Sequence, residues 1–119
     1  MTVIKLKRVY DPYEKDDGLR VLVDRLWPRG VKKEVLHYDL WEKAITPSNE
    51  LRKWMHADRG TRWDEFVRRY EKELTIGDAL SAFVNEVKGH DTVTLLYASK
   101  DEQHNHAVVL KGVLENLLG

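Results

Sequence analysis

The chain has 119 residues, 42% of them hydrophobic and 34% charged, and its 20 basic and 20 acidic residues give a formal net charge of zero. This length favours a single domain over residues 1–119, which is large enough to bury a core without disulfides or a structural metal. The absence of cysteine excludes thiol nucleophiles, thiolate metal sites and disulfide bonds, and the neutral charge argues against a general affinity for nucleic acid or anionic membranes.

The N-terminal region does not resemble a targeting segment. Its first ten residues alternate apolar and charged side chains, whereas a signal peptide requires a continuous apolar segment. No apolar run in the chain approaches the length of a membrane span. We therefore expect a cytoplasmic protein without membrane attachment. Residues 1–33 contain nine Lys or Arg and five acidic residues, so this part could form a basic patch.

Two strands are expected in the first quarter of the chain. Residues 3–9 have the alternating pattern of a half-exposed strand, and their basic face favours an edge position. After a charged loop over residues 11–18, residues 19–23 have the apolar character of a buried strand. Residues 31–45 fit either a short helix followed by an extended piece or two weak helical turns.

The first clear helix is expected to begin at Thr46 and Pro47. A hydroxyl followed by proline is typical of an N-cap and the first helical position. Gly60 is expected to end this helix or its connection. Residues 63–74 then carry apolar side chains at three- and four-residue steps, which predicts a second helix that stops before Gly77.

The last third of the chain predicts helix, strand and helix. Asp78 can cap the first helix, and Gly89 closes it. Residues 92–97 form a short apolar run typical of a buried strand. The final helix has a predicted apolar face of Leu110, Val113, Leu114 and Leu117. Strands that alternate with helices favour an α/β layered fold with a largely parallel sheet flanked by helices.

Two loops follow the predicted buried strands, residues 24–30 and residues 99–106. In open α/β sheets, ligands bind beyond the carboxyl ends of the strands. We expect the two strands to be parallel neighbours, so that both loops contribute to one ligand site.

The first loop combines two arginines with an indole. Arg25 and Arg29 offer guanidinium forks for phosphate or carboxylate, and Trp27 offers a stacking face. The alternative is structural: Asp24 pairs with an arginine, Trp27 packs against the sheet, and Pro28 fixes the turn.

The second loop leads into the N-terminus of a helix, where free backbone amides attract anions. Lys100 and Asn105 are candidate ligand contacts. His104 and His106 are candidates for general acid or base catalysis, and two histidines without a third ligand do not justify assigning a metal. The alternative is that His104 or Asn105 caps the helix.

The chain resembles the YeaO-like branch of the family called domain of unknown function 488 (DUF488), which contains small bacterial and archaeal proteins. The resemblance covers nearly the whole chain, and its most specific segment is VDRLWPRG within residues 20–30. The other matching segments are residues 7–11, 46–48, 51–53, 66–74 and 95–106.

The resemblance implies a site in the same two loops. The family's Asp-Val-Arg segment with a nearby proline corresponds to Asp24, Arg25 and Pro28. Its lysine-, acid- and histidine-containing segment corresponds to Lys100, Asp101, His104 and His106. The chain departs from the family at Tyr97, Ser99, Asn105 and Ala107. Two of these positions, Tyr97 and Asn105, hold cysteine in the family, so thiol-dependent chemistry is not implied here.

The family has no established activity, so three hypotheses follow. In the first, Arg25, Arg29 and Lys100 hold an anionic ligand such as a phosphorylated metabolite or nucleotide, and Asp24 and a histidine transfer protons; no cofactor is indicated. In the second, the chain is a binding module for nucleic acid or a regulatory ligand that uses Trp27, although the neutral charge and the lack of a helix-turn-helix pattern count against DNA. The third is a protein-interaction domain, marked by an exposed apolar helix face.

Overall fold

A computed structural model describes residues 2–118, except for the side chain of Arg59. The strands are β1 (Val3–Arg8), β2 (Leu19–Leu22), β3 (Leu40–Trp41) and β4 (Thr92–Tyr97). The α-helices are α1 (Asn49–Ala57), α2 (Arg59–Leu74), α3 (Ala79–Val87) and α4 (His106–Leu118). Short 3-10 turns lie at Lys15–Asp17 and Lys43–Ile45.

The four strands form one parallel sheet in the order β1-β4-β2-β3. Val93 of β4 is paired with Ile4 of β1 on one side and with Leu19 of β2 on the other. This confirms the predicted edge position of β1 and the predicted parallel pairing of β2 with β4. The loops that follow β2 and β4 therefore leave the same edge of the sheet.

The larger hydrophobic core lies on one face of the sheet, and all four helices contribute to it. Alternation along the strands directs Val21 and Leu95 to this face and Leu22 and Leu96 to the other. The smaller cluster on the second face is built from strand and loop residues, namely Val9, Leu22, Leu36 and Leu96 with Trp27, Val31, Tyr38, Trp41 and Ala98 around them. The α/β layered fold is thus confirmed, with loops covering the second face.

The start of α1 differs from the prediction by two residues. The N-cap is Ser48, whose Oγ accepts the Leu51 N–H at 3.1 Å. The carboxylate of Glu73 accepts both the Ser48 N–H at 2.9 Å and the Ser48 hydroxyl at 2.6 Å, which holds this residue in place. The Thr46 hydroxyl instead donates to the Lys43 carbonyl at 2.7 Å, so the prediction that Thr46 caps the helix is wrong.

Gly60 does not end a helix, contrary to the prediction. Helix α1 ends at Ala57 and α2 begins at Arg59. The helical conformation is interrupted at Asp58, whose φ of −158° and ψ of 78° are not helical. The Asp58 carboxylate accepts the Thr61 hydroxyl at 2.7 Å, and Gly60 lies in the first turn of α2. The Asp58 side chain thus contacts the first turn through a hydroxyl group and makes no capping hydrogen bond to the described backbone.

The other helix predictions are confirmed in outline. Helix α2 ends at Leu74. Asp78 occupies the N-cap position of α3, but its side chain makes no capping hydrogen bond in the described structure, so the predicted cap is present in position only. Leu117 is 55% exposed, so its predicted place on the apolar face of α4 is wrong. Residues 31–45 contain turns, the short strand Leu40–Trp41 and a 3-10 turn. No helix in the described part of the chain combines the length and apolarity needed to cross a membrane.

A buried ion-pair cluster lies at the start of β2, on the face of the sheet away from the helices. Asp17 and Arg20 are each 1% exposed and form a salt bridge. Asp17 also accepts from Lys7 Nζ at 3.0 Å and from the Glu14 N–H at 3.1 Å, while Arg20 Nε donates to the His37 carbonyl at 2.6 Å. Burial by itself would raise the pKa of Asp17. The hydrogen bonds that its carboxylate accepts from Lys7, the Glu14 N–H and Arg20 outweigh this effect and hold the pKa below its ordinary value.

Candidate functional site

A cavity of about 280 Å³ opens where β2 and β4 end, between the loops that follow them and helices α1 and α2. Its ionisable lining comprises one carboxylate, two guanidinium groups and three imidazoles, from Asp24, Arg25, Arg52, His56, His104 and His106. Most of the remaining wall is apolar or aromatic, from Leu26, Pro47, Met55, Trp63, Phe66 and Ala98. The described lining of the cavity therefore contains more guanidinium groups than carboxylates, next to an apolar surface.

Asp24 joins the two predicted loops at the edge of the sheet. Its Oδ2 accepts the Ala98 N–H at 3.0 Å, which ties the end of β2 to the end of β4. Its Oδ1 lies 3.1 Å from His106 Nε2 and is buried without a well-aligned hydrogen bond in the described structure. Asp24 and His106, both predicted site residues, are therefore brought into contact.

The environment of His106 decides which ring nitrogen carries a proton. Nε2 lies 2.8 Å from the Val23 carbonyl oxygen, which can only accept a hydrogen bond. Nε2 must therefore donate, and Nδ1 is left to accept a proton or, in the imidazolium form, to donate one. A histidine backed by a carboxylate can act as a general base, and it can equally be stabilised as a cation next to a bound anion.

The two arginines reach the cavity from different elements. Arg25, in the loop after β2, donates from Nε to the Pro47 carbonyl at 3.1 Å. Arg52, on α1, donates from one terminal nitrogen to Asn49 Oδ1 at 3.3 Å, and its Nε is buried without a partner in the described residues. These bonds use one donor of each guanidinium group, and further terminal nitrogens of both groups have no hydrogen-bond partner among the described residues.

The loop before α4 is organised by Asp101 and Asn105. Asp101 Oδ1 accepts the N–H groups of His104 at 2.9 Å and Gln103 at 3.0 Å, which hold the pKa of Asp101 below its ordinary value. Asn105 caps α4, because its Oδ1 accepts the Val108 N–H at 3.0 Å and its Nδ2 donates to the Asp101 carbonyl at 2.8 Å. Asn105 also lines the cavity, but both ends of its amide serve the fold.

Five rings form a continuous series that we call the aromatic arc: His104, Trp63, Phe66, Tyr70 and His106. Successive ring centroids are 5.0, 5.6, 5.8 and 6.5 Å apart. Burial raises the pKa of Tyr70, so its hydroxyl stays neutral. All members except Tyr70 line the cavity, which gives it one aromatic wall.

Three predicted ligand-binding residues, Trp27, Arg29 and Lys100, do not line this cavity. Trp27 packs in the smaller cluster, 5.3 Å from the Trp41 ring, and its indole N–H donates to the Val31 carbonyl at 2.5 Å. The alternative interpretation, in which Trp27 packs against the sheet, is the one the contacts support. Arg29 and Lys100 are exposed on loops. The chain leaves the cavity after residue 26 because Trp27 turns to the second face of the sheet.

The contributions of α1 and α2 to the cavity were not predicted from the sequence. Arg52 and His56 are one helical turn apart on α1, and Trp63 lies on α2. Two signals were available: the i, i+4 spacing of Arg52 and His56 beside the buried residues Leu51 and Met55, and the position of Arg52 in a segment shared with the family. Among the residues described, no group of three or more His, Asp or Glu side chains is arranged to hold a metal ion.

Comparison with known proteins agrees with the resemblance seen in the sequence. Residues 3–119 match a family model described as the inactive DUF488-N3 subclade. The chain is 45% identical over 114 residues to the uncharacterized protein YeaO of Escherichia coli, an alignment that covers 96% of this chain and 98% of that protein. It is 41% identical over 113 residues to the uncharacterized protein Rv3073c of Mycobacterium tuberculosis, which covers 95% and 94% of the two chains. No solved structure matches it significantly.

Proposed function

The chain belongs to the DUF488 family, and from this premise we propose that it binds a small anionic molecule in the cavity without converting it. One observation carries the proposal: two guanidinium groups and three imidazoles line a cavity that contains a single carboxylate. That carboxylate, Asp24, already accepts from the Ala98 N–H and adjoins His106. The two guanidinium groups therefore outnumber the carboxylates of the described lining.

Phosphate or carboxylate is the chemistry that these groups fit. Arginine forks bind both anions in a bidentate manner, and partly buried guanidinium groups such as those of Arg25 and Arg52 are less screened by water than exposed ones. The amino end of α4 begins at His106 and adds a partial positive charge on the same side. A phosphorylated metabolite or nucleotide-like molecule is the ligand class that follows.

Two observations favour binding over turnover. The matching family model is described as inactive. Ser99 is the hydroxyl residue of the described lining, and its Oγ accepts the Asp101 N–H at 3.2 Å instead of pairing with a histidine base. An activated nucleophile of the usual kind, a hydroxyl hydrogen-bonded to an oriented base, is therefore not assembled in the described cavity.

The test is titration calorimetry with inorganic phosphate and with phenyl phosphate. Arg25→Gln is expected to weaken binding about ten- to a hundred-fold, which corresponds to the loss of a charge-assisted hydrogen bond. Arg29→Gln is the matched control, because Arg29 lies four residues further along the same loop but is exposed and off the cavity. We expect it to bind as the parent does.

The outcomes are distinct. If neither phosphate compound binds the parent protein, or if Arg25→Gln binds as tightly as the parent, the proposal fails. An equal loss in both arginine variants would move the anion site to the exposed loop of residues 24–30.

A second candidate function, proton transfer, is favoured by the contact between His106 and Asp24. It requires that phenyl phosphate be consumed and that His106→Gln abolish this turnover while sparing binding. Continuous assay for phenol release by the parent protein decides between the two functions, since a binding protein releases none.

A further inference from the structure

We infer that the ligand of this cavity carries an aromatic ring next to its anionic group, so that the cavity takes a small aryl phosphate or aryl carboxylate. This inference rests on the proposed function, because it uses the same cationic groups for the anion. It adds a requirement for the other end of the ligand, drawn from the aromatic arc.

The aromatic rings and the guanidinium groups line different walls of the cavity. The rings of Trp63 and Phe66 lie on α2, whereas the guanidinium groups come from α1, through Arg52, and from the loop after β2, through Arg25. A ligand that contacts both walls must be apolar and flat at one end and negatively charged at the other. An anion without a ring would leave the aromatic wall in contact with water.

Trp63 lies between His104 and Phe66 in the aromatic arc and is in contact with both rings. Its ring stacks on Phe66 with an interplanar angle of 23°, and the edge of His104 approaches it at 64°. The residue is only partly buried, although its ring is large and apolar. A ring that is fixed before binding loses little freedom when a second ring stacks on it, and this favours affinity.

The other tryptophans differ from Trp63 in one respect. Each has a cation over its ring, namely Lys33 over Trp27 at 5.6 Å, Lys43 over Trp41 at 4.0 Å, and Arg62 and Arg69 over Trp54 at 4.8 and 4.3 Å. Within the described side chains no such cation covers Trp63. Among the described side chains, the tryptophan that lines the cavity thus differs from the other three in having no cation over its ring.

The size of the cavity limits the ligand to a compact molecule. A closed apolar cavity of about 150 Å³ accommodates benzene. The present cavity of about 280 Å³ therefore holds one ring together with a phosphate or carboxylate group. An extended molecule with two ring systems and several phosphates would project beyond it.

The experiment is a calorimetric series on the full chain with four probes: phenyl phosphate, glycerol 2-phosphate, benzoate and benzyl alcohol. Phenyl phosphate is expected to bind about ten-fold more tightly than glycerol 2-phosphate, in line with the usual strength of ring stacking. Trp63→Leu should remove this preference, so that the two phosphate esters bind to the variant with similar affinities. Trp54→Leu, a matched loss of a partly buried tryptophan outside the cavity, should keep the preference.

The series separates this inference from the proposed function. If both phosphate esters bind equally to the parent protein, the requirement for a ring is overturned and anion binding stands. If benzyl alcohol binds as tightly as phenyl phosphate, anion binding fails and the ring site stands. The comparison of benzoate with phenyl phosphate identifies the preferred anion. Should Trp63→Leu fail to fold, the probe series on the parent and on Trp63→Phe, which keeps a ring and should keep the preference, decides the question.

Discussion

The two ends of β2 both carry buried charged groups, but the protein satisfies them differently. At the start of the strand, the Asp17 carboxylate accepts from Lys7 and Arg20. Glu14 also pairs with Lys7, so two carboxylates face two cations. At its end, Asp24 Oδ1 and Arg52 Nε are buried without a well-aligned partner in the described residues. Buried polar groups are normally hydrogen-bonded, so the exceptions need a reason. Pairing, and not burial of charge as such, distinguishes the stabilising cluster from the candidate site.

The largest expected effect tests the paired end. Asp17→Asn should lower the free energy of unfolding by about 3–5 kcal/mol, because it leaves the Arg20 guanidinium buried without its carboxylate. Urea unfolding followed by circular dichroism measures the loss. The control is Glu65→Gln, which removes a carboxylate that pairs with Arg68 and Arg69 on the surface and should leave the unfolding midpoint close to that of the parent. If the two variants lost equal free energies of unfolding, the buried Asp17 ion pairs would stabilise the fold no more than the exposed ion pairs of Glu65.

A smaller effect is expected at the unpaired end. Trp63→Ala should cost about 1–2 kcal/mol, because its ring already borders an open cavity, whereas Phe66→Ala should cost about 3–5 kcal/mol, because that ring is enclosed by the core. The same urea experiment measures both. A loss at Trp63 as large as that at Phe66 would mean that the wall of the cavity is part of the core and not a surface reserved for a ligand.

The parent protein and Asp17→Asn should also differ in how their stability depends on pH. The pKa of Asp17 is lowered in the folded protein, so its stabilising contribution is complete above the unfolded pKa of about 3.9 and is lost as the pH falls through the folded value. One such proton changes the free energy of unfolding by at most about 1.4 kcal/mol per pH unit. Below about pH 4, the parent should therefore lose stability more steeply than Asp17→Asn. Parallel curves for the two proteins would rule out this role of Asp17.

The smallest effect separates a structural residue of the cavity from a ligand contact. Asn105→Ala should cost about 1 kcal/mol through loss of the α4 N-cap, as is usual for such positions. Because both ends of the amide are used within the chain, affinity for phenyl phosphate should stay close to that of the parent. A large loss of affinity with little loss of stability would reinstate the ligand contact that the sequence suggested for Asn105.

The half of the site contributed by the sheet could be predicted from the sequence. A buried strand of residues 19–23 and another of residues 92–97 imply parallel neighbours, and parallel neighbours bring the loops after them together. This argument placed Asp24, Arg25 and His106 in one site. Trp27 and Arg29 lie away from the cavity, because the loop turns to the other face of the sheet, and no local pattern shows at which residue it does so.

The half contributed by the helices could not be predicted in the same way. Which face of α1 and α2 meets the loops depends on how the helices pack on the sheet, and helical periodicity does not specify that packing. The sequence therefore indicated no role for Arg52 beyond its place in a segment shared with the family. Arg20 illustrates the same limit at the other end of β2, since this arginine within an apolar strand is stabilised by the Asp17 carboxylate, three residues earlier, and by the His37 carbonyl.

The hydrogen bond from the Ala98 N–H to Asp24 also gives the cavity a spectroscopic reporter. The chemical shift of an amide proton that donates to a carboxylate responds to the charge on that carboxylate and to the length of the bond. Since Asp24 touches His106 through its other oxygen, the Ala98 resonance senses both the imidazole and whatever arrives beside it. A single backbone signal in a nitrogen-15 spectrum can thus follow occupancy of the cavity without a probe attached to the protein.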